Sequence, residues 1–175
     1  EATLSLLDDD YAIIYQFAAI IGVRHVMERP YEVLHKNVLI QNKAIELAKR
    51  QKTFERFCFA STSEVYAGSL KHMAMQIPTP ENVPIALTNL EHPRTSYMLS
   101  KIYGEAMCHQ SDLPFTIVRP HNVYGPRMRP KDGRAIPNFI DQALNGESIT
   151  IYGDGSQTRS FCYYQDEVEG IYRLL

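Results

Sequence analysis

The chain has 175 residues, 45% of them hydrophobic, enough for one globular domain with a buried core. Eighteen basic residues against twenty acidic ones leave a net charge of −2, which excludes a broad electrostatic attraction to nucleic acid or to an anionic membrane. The longest apolar stretch, AIIYQFAAIIGV at 12–23, is too short to span a bilayer and carries Gln16, and the residues from Glu1 on are not expected to act as a secretory signal.

Short β-like runs alternate with longer helical ones, a βαβα pattern. Residues 12–19 predict a buried strand. Residues 30–50 predict a helix, with Val33, Leu34, Val38, Leu39, Ala44, Ile45, Leu47 and Ala48 near helical spacing. Residues 57–62 form the next expected strand. A loop holding Pro78, Pro80, Pro84 and Pro93 follows, then a second long helix over 96–110 and the strand FTIVRP at 115–120. A shorter helix is expected over 136–144, and QDEVEGIYRLL reads as a last one.

Strands rich in Ile, Val and Phe joined by helices predict a mostly parallel, doubly wound α/β sheet covered on both faces. Cys58, Cys108 and Cys162 are odd in number and set in apolar sequence, which suits reduced thiols in a cytoplasmic protein better than disulfides or zinc. The six histidines lack ligand spacing, so no metal site is expected. His121, beside Asn122, suits packing or hydrogen bonding.

In parallel sheets of this kind ligands bind beyond the carboxyl ends of the strands. STSE, Ser61 to Glu64, lies at one such end, and Arg119 to Asn122 at another, so both polar clusters are expected to border one crevice. In TSYMLSKIYGE, Tyr97 and Lys101 stand four apart and project from one helix face. A free tyrosine has a pKa near 10, and lowering it by about three units takes about 4 kcal/mol, of which a nearby ammonium supplies a share. An ordinary Tyr/Lys pair on an amphipathic helix has the same spacing.

The hydroxyl cluster, then PRTSYMLSKIYGE, then RPHNVYGPRM and YGDGSQTRSF, in that order, resemble the extended short-chain dehydrogenase/reductases: sugar-nucleotide epimerases, dehydratases and decarboxylases. The likeness runs from FAAIIGV to QDEVEG. It implies an incomplete Rossmann-like fold over 1–125 with the start of a small substrate-binding region over 126–175. NAD is the implied cofactor, with Ala18, Ala19, Ser61, Tyr97 and Lys101 facing it. Thr62 matches the residue that hydrogen-bonds the sugar hydroxyl, Tyr97 the base, and Lys101 the lysine that holds the ribose and tunes the base. Proton removal by Tyr97 and hydride transfer from C4 to the nicotinamide would give a 4-keto sugar. Asn122 matches a contact to the sugar diphosphate. Arg159 matches an arginine that reaches phosphate or a sugar acid, although an isolated arginine is also a common surface charge.

The fate of the ketone turns on Ser63 and Glu64. In 4,6-dehydratases the matching stretch resembles TDE, and Ser63 is a poor proton donor for that step. TSE with GPRM, DGR and GDGSQTR most resembles UDP-glucuronate decarboxylases, in which Glu64 and Arg159 would position a sugar carboxylate while Ser63 lines the substrate. Some dehydratases also resemble TSE, a 4-epimerase stays open, and a helix-cap or loop carboxylate is the lesser alternative for Glu64.

The 175 residues depart from the family in one respect: they hold no glycine-rich turn of the kind that receives a pyrophosphate, and Gln16 stands where a histidine is frequent. The chain thus resembles a piece truncated at both ends. NAD is expected to bind it weakly or not at all, and a non-catalytic remnant or assembly module is the competing reading. Helices 30–50 and 96–110 match a pair that forms a dimer contact in related enzymes, so a homodimer is expected.

Overall fold

A computed structural model describes Leu7, residues 10–130 and residues 133–175. The chain divides after Pro120 into two compact units, the second being His121–Leu174.

The first unit is built on a parallel three-stranded sheet of β1 (Ile13–Gln16), β2 (Arg56–Ala60) and β3 (Phe115–Val118), with β2 central. Ile14 lies opposite Phe57, and Phe57 opposite Phe115. Successive side chains on a strand face opposite ways. Phe57 and Phe59 therefore share a face, where they pack with Ile45, Ala48 and Cys108. These partners come from two long helices after α1 (Val23–Glu28): α2 (Pro30–Lys49) and, beyond α3 (Ala67–His72), α4 (Arg94–His109). Pro30 opens α2 where its missing N–H costs no hydrogen bond.

Gly104 sets how deeply α4 sits against β2. A Cβ there would lie 2.4 Å from Cζ of Phe59, so any larger residue would push out the helix that carries Tyr97 and Lys101. Burial raises the thiols of Cys58 and Cys108, the latter to about 12, which leaves both as packing groups.

The expected strand over 12–19 is shorter and more open than its composition suggests. β1 has one hydrogen-bonded neighbour among the described residues, and Ile13 and Tyr15, the latter 49% exposed, face away from α2 and α4. Ala18 and Ala19 thus follow the strand rather than belong to it. The apolar periodicity of α2 also misleads in part: it buries Val33, Asn37, Gln41, Ile45, Leu47 and Ala48, while Leu39 stays exposed. The amides take inward positions because they reach across to α4, Asn37 to Oγ of Ser100 (3.4 Å) and Gln41 to the Gly104 carbonyl (3.4 Å). The strand expected over 57–62 ends at Ala60. α3 was not expected, since six residues including Gly68 and Ser69 carry little helical signal.

In the second unit β4 (Asn122–Tyr124) pairs in parallel with β5 (Phe161–Tyr163), with α5 (Ala135–Leu144) between them in sequence and α6 (Tyr164–Arg173) after. Tyr124, Phe161, Tyr163 and Tyr164 form an aromatic group on the β4–β5 pair, with Tyr124 and Tyr163 centroids 5.4 Å apart.

Candidate active site

Beyond Ala60 the chain stays paired to the neighbouring strand end. Ser61 N donates to the Val118 carbonyl (2.8 Å) and Ser63 N to that of Pro120 (3.0 Å), so the STSE cluster and Arg119–Pro120 are neighbours. Thr62 is extended and caps a one-turn 3₁₀ helix, Ser63–Tyr66, by accepting from Glu64 N (3.3 Å). The capping role foreseen for Glu64 falls to Thr62.

α4 lays the face that carries Tyr97 and Lys101 onto this tip. The Thr62 side chain lies close enough to the Tyr97 phenol to favour its ionised form. Lys101 is 5% exposed, and its Nζ donates to the Ala60 carbonyl at 2.6 Å while lying 5.0 Å from the Phe59 ring centroid and 5.9 Å from that of Tyr97. Burial lowers its pKa to about 8.

The phenol of Tyr97 is not pre-ionised. Burial raises its pKa, the Glu64 charge raises it further, and the Thr62 hydrogen bond works the other way. The lysine turns its Nζ to a backbone carbonyl, and among the causes acting on Tyr97 none comes from Lys101. Glu64 is exposed overall, yet desolvation of its carboxyl raises its pKa against the opposing pull of Arg94.

The remaining sequence candidates divide. Ala18 N donates to Oε1 of the buried Gln16 (3.0 Å), and Asn37 grips Ile20 through both its N–H (2.7 Å) and its carbonyl (3.1 Å), so the segment after β1 is held by side chains. Ser61 is buried, and its hydroxyl donates to Oε1 of Glu105 at 2.5 Å. Asn122 and Arg159 belong to the second unit. There Asn122 Nδ2 donates to the Ser160 carbonyl (2.9 Å), and the exposed Arg159 donates to that of Thr158 (2.7 Å).

Sequence reasoning assigned no role to Glu105 or Tyr66, and placed Arg119 only in a polar cluster beside the crevice. A signal for Glu105 was present, because it stands one further helical step beyond Tyr97 and Lys101. Arg119 was marked only as part of the polar cluster at the end of its strand, with nothing local to name Glu105 as its partner.

A parallel sheet whose central strand ends in a hydroxyl cluster facing a Tyr-x-x-x-Lys helix is an arrangement shared with known enzymes. The model of the NAD dependent epimerase/dehydratase family matches residues 1–175. The chain belongs to this family. Among family relatives it is 37% identical over 164 residues to UDP-glucuronic acid decarboxylase 4 of Arabidopsis thaliana, covering 93% of this chain and 36% of that protein. It is 36% identical over 169 residues to the UDP-N-acetyl-alpha-D-glucosaminuronate decarboxylase of Bacillus cytotoxicus, covering 93% of this chain and 50% of that one. Among solved structures, the NAD dependent NDP-hexosamine 5,6-dehydratase TunA superposes with a TM-score of 0.78 at 29% identity, over 98% of this chain and 55% of that one. The Bordetella bronchiseptica enzyme WbmF in complex with NAD+ does so with a TM-score of 0.76 at 26% identity, over 98% and 51%. The chain thus spans about a third to a half of these relatives, and its first unit is Rossmann-like. No helix among the described residues is long and apolar enough to cross a membrane.

Proposed function

We propose that this chain carries the catalytic centre for NAD-dependent conversion of a nucleotide sugar through a 4-keto intermediate, with UDP-glucuronate decarboxylation as the reaction. The observation that carries the proposal is the grouping of Thr62, Tyr97 and Lys101 at the carboxyl end of β2. Thr62 orients the sugar 4-hydroxyl and Tyr97 takes its proton. Bound NAD supplies the hydride acceptor and a positive charge near Tyr97. The donor set fits its nicotinamide ribose, since the Lys101 ammonium has three protons and gives one to Ala60. Ala18 and Ala19, just beyond β1, offer small residues to the same cofactor, and three free thiols suit a cytoplasmic setting.

In the decarboxylase branch Glu64, whose charge acts on Tyr97 and which therefore lies near the base, would manage the proton at C5 once carbon dioxide leaves the β-keto acid. Ser63 would line the sugar, Asn122 the diphosphate, and Arg159 the C6 carboxylate, a guanidinium being able to take such an oxyanion bidentately. Both curated relatives named above are decarboxylases.

The pyrophosphate of NAD has no glycine-rich turn to receive it in these 175 residues, so binding by this chain alone is expected to be about a thousandfold weaker than micromolar, a difference of about 4 kcal/mol. The test joins the chain to the glycine-rich segment of a related enzyme and titrates both forms with NAD by calorimetry, then assays the fused chain with UDP-glucuronate. Tight NAD binding and release of pentose nucleotide with carbon dioxide, in the fused form only, are expected. Epimerisation of a neutral UDP-hexose with UDP-glucuronate untouched would overturn the decarboxylase branch. No NAD binding in either form would favour a non-catalytic assembly module.

A homodimer through α2 and α4 is the proposed assembly. Outside its buried stripe α2 carries a second apolar strip, Tyr31, Leu34, Val38 and Leu39, lining a shallow groove; Tyr31 is 78% exposed, and α4 adds the exposed Tyr103. Light scattering should return twice the chain mass, and Leu39→Asp should return the single mass. A monomer at high concentration would count against this assembly.

A further inference from the structure

α4 presents Tyr97, Lys101 and Glu105 at successive four-residue steps, and these meet three consecutive residues at the tip of β2. Tyr97 meets Thr62, Lys101 meets the Ala60 carbonyl, and Glu105 accepts from the Ser61 hydroxyl. The middle residue of the tip is thus tied to the helix between the two contacts that chemistry needs.

Glu105 is only 4% exposed, where an unpaired carboxylate would be very costly. Arg119, just past β3, meets it with a two-pronged ion pair, Nε to Oε1 at 2.9 Å and Nη2 to Oε2 at 2.7 Å. The same guanidinium donates from Nη1 to the Tyr66 hydroxyl (2.5 Å) and to the Glu81 carbonyl (3.1 Å), and it lies 4.9 Å from the Tyr66 ring centroid. Tyr66 closes the 3₁₀ turn that Thr62 begins. Thr62 is therefore held from both sides, through Ser61 before it and Tyr66 after it, by one buried ion pair.

We propose that Glu105 and Arg119, acting through Ser61 and Tyr66, are positioning residues that set the Thr62 hydroxyl on Tyr97. This rests on Tyr97 being the base of the proposed reaction. It also gives Ser61 an inward role in place of the cofactor contact that the family resemblance implied. A purely structural ion pair would hold β2 to β3 without governing the Thr62–Tyr97 hydrogen bond.

The test labels tyrosine Cζ with ¹³C, identifies the Tyr97 resonance by its loss in Tyr97→Phe, and follows it in Ser61→Ala and Ser61→Thr alongside thermal unfolding. Lys101, Glu64 and Arg94, the charged groups acting at this site, stay in place throughout. Ser61→Ala leaves the Glu105–Arg119 pair intact, so the fold is kept and a merely structural role predicts an unmoved resonance. The expected result is a shifted Tyr97 signal whose titration begins at higher pH, as loss of the Thr62 hydrogen bond requires, with return toward the parent in Ser61→Thr. In the fused chain Ser61→Ala should lower kcat about tenfold with KM nearly unchanged, the signature of a misplaced reacting group. Glu105→Gln, if it folds, should shift the resonance in the same sense. A folded Ser61→Ala whose Tyr97 resonance and titration match the parent overturns the proposal. Because the resonance is read without cofactor or sugar, a fused chain that shows no turnover would overturn the proposed reaction and leave this geometric result standing.

Discussion

Tyr97→Phe in the fused chain is expected to cut turnover by roughly 10²–10⁴-fold while leaving sugar-nucleotide binding nearly intact. The substitution removes one hydroxyl from a half-buried ring and keeps its apolar packing. What it removes chemically is the proposed proton acceptor for the 4-hydroxyl. Burial and the Glu64 charge both raise the pKa of Tyr97, and only the Thr62 hydrogen bond opposes them, so the phenol is costly to ionise and is poorly replaced by water. The loss should therefore fall on kcat and kcat/KM together, with little effect on affinity. Steady-state kinetics on the variant, with affinity measured separately by calorimetry, checks this. Turnover within a few-fold of the parent would remove Tyr97 from the mechanism.

Lys101→Met should separate function from stability. The Lys101 pKa is lowered to about 8 by burial, from an ordinary value of 10.5. Between those values the unfolded chain binds more protons than the folded one, so stability rises as pH climbs through the window. Below pH 8 the cost of burying the ammonium is fully present, and it amounts to about 3 kcal/mol. Methionine lifts that cost but leaves the Ala60 carbonyl without its donor, a loss of about 1–3 kcal/mol. Near pH 7 the two changes roughly cancel or slightly favour the variant. Near pH 10 the variant should be the less stable protein, because the parent has recovered its cost. Urea unfolding at neutral and alkaline pH reads this directly, and a parent-like rise of stability with pH in the variant would show that another group is responsible. Turnover in the fused variant should meanwhile fall about a hundredfold or more, since Lys101 is proposed to hold the ribose beside Tyr97.

Much of the site was legible before the fold was seen, because its members are ordered by local geometry. Tyr97 and Lys101 share a helix face through their spacing alone, and α2 and α4 were expected within two residues of their observed ends. The alternation of apolar runs announced a parallel sheet, and β2–β3 pairing confirms that the hydroxyl cluster lies at a strand end.

Sequence by itself determined the two long helices, the parallel character of the sheet and the placing of Tyr97 and Lys101 on one helix face, since each depends on periodicities that act within a few residues. Tertiary structure alone decided that β1 is half exposed, that Gln41 faces inward where Leu39 does not, and that Ser61 turns to Glu105 across 44 residues of chain. It likewise decided that Lys101 spends a proton on the Ala60 carbonyl, 41 residues away, and that Arg119 neutralises Glu105. These outcomes follow from which strand lies beside which and how closely α4 approaches at Gly104. A buried polar group takes whatever partner that register brings within reach, and no periodicity within either segment encodes the choice.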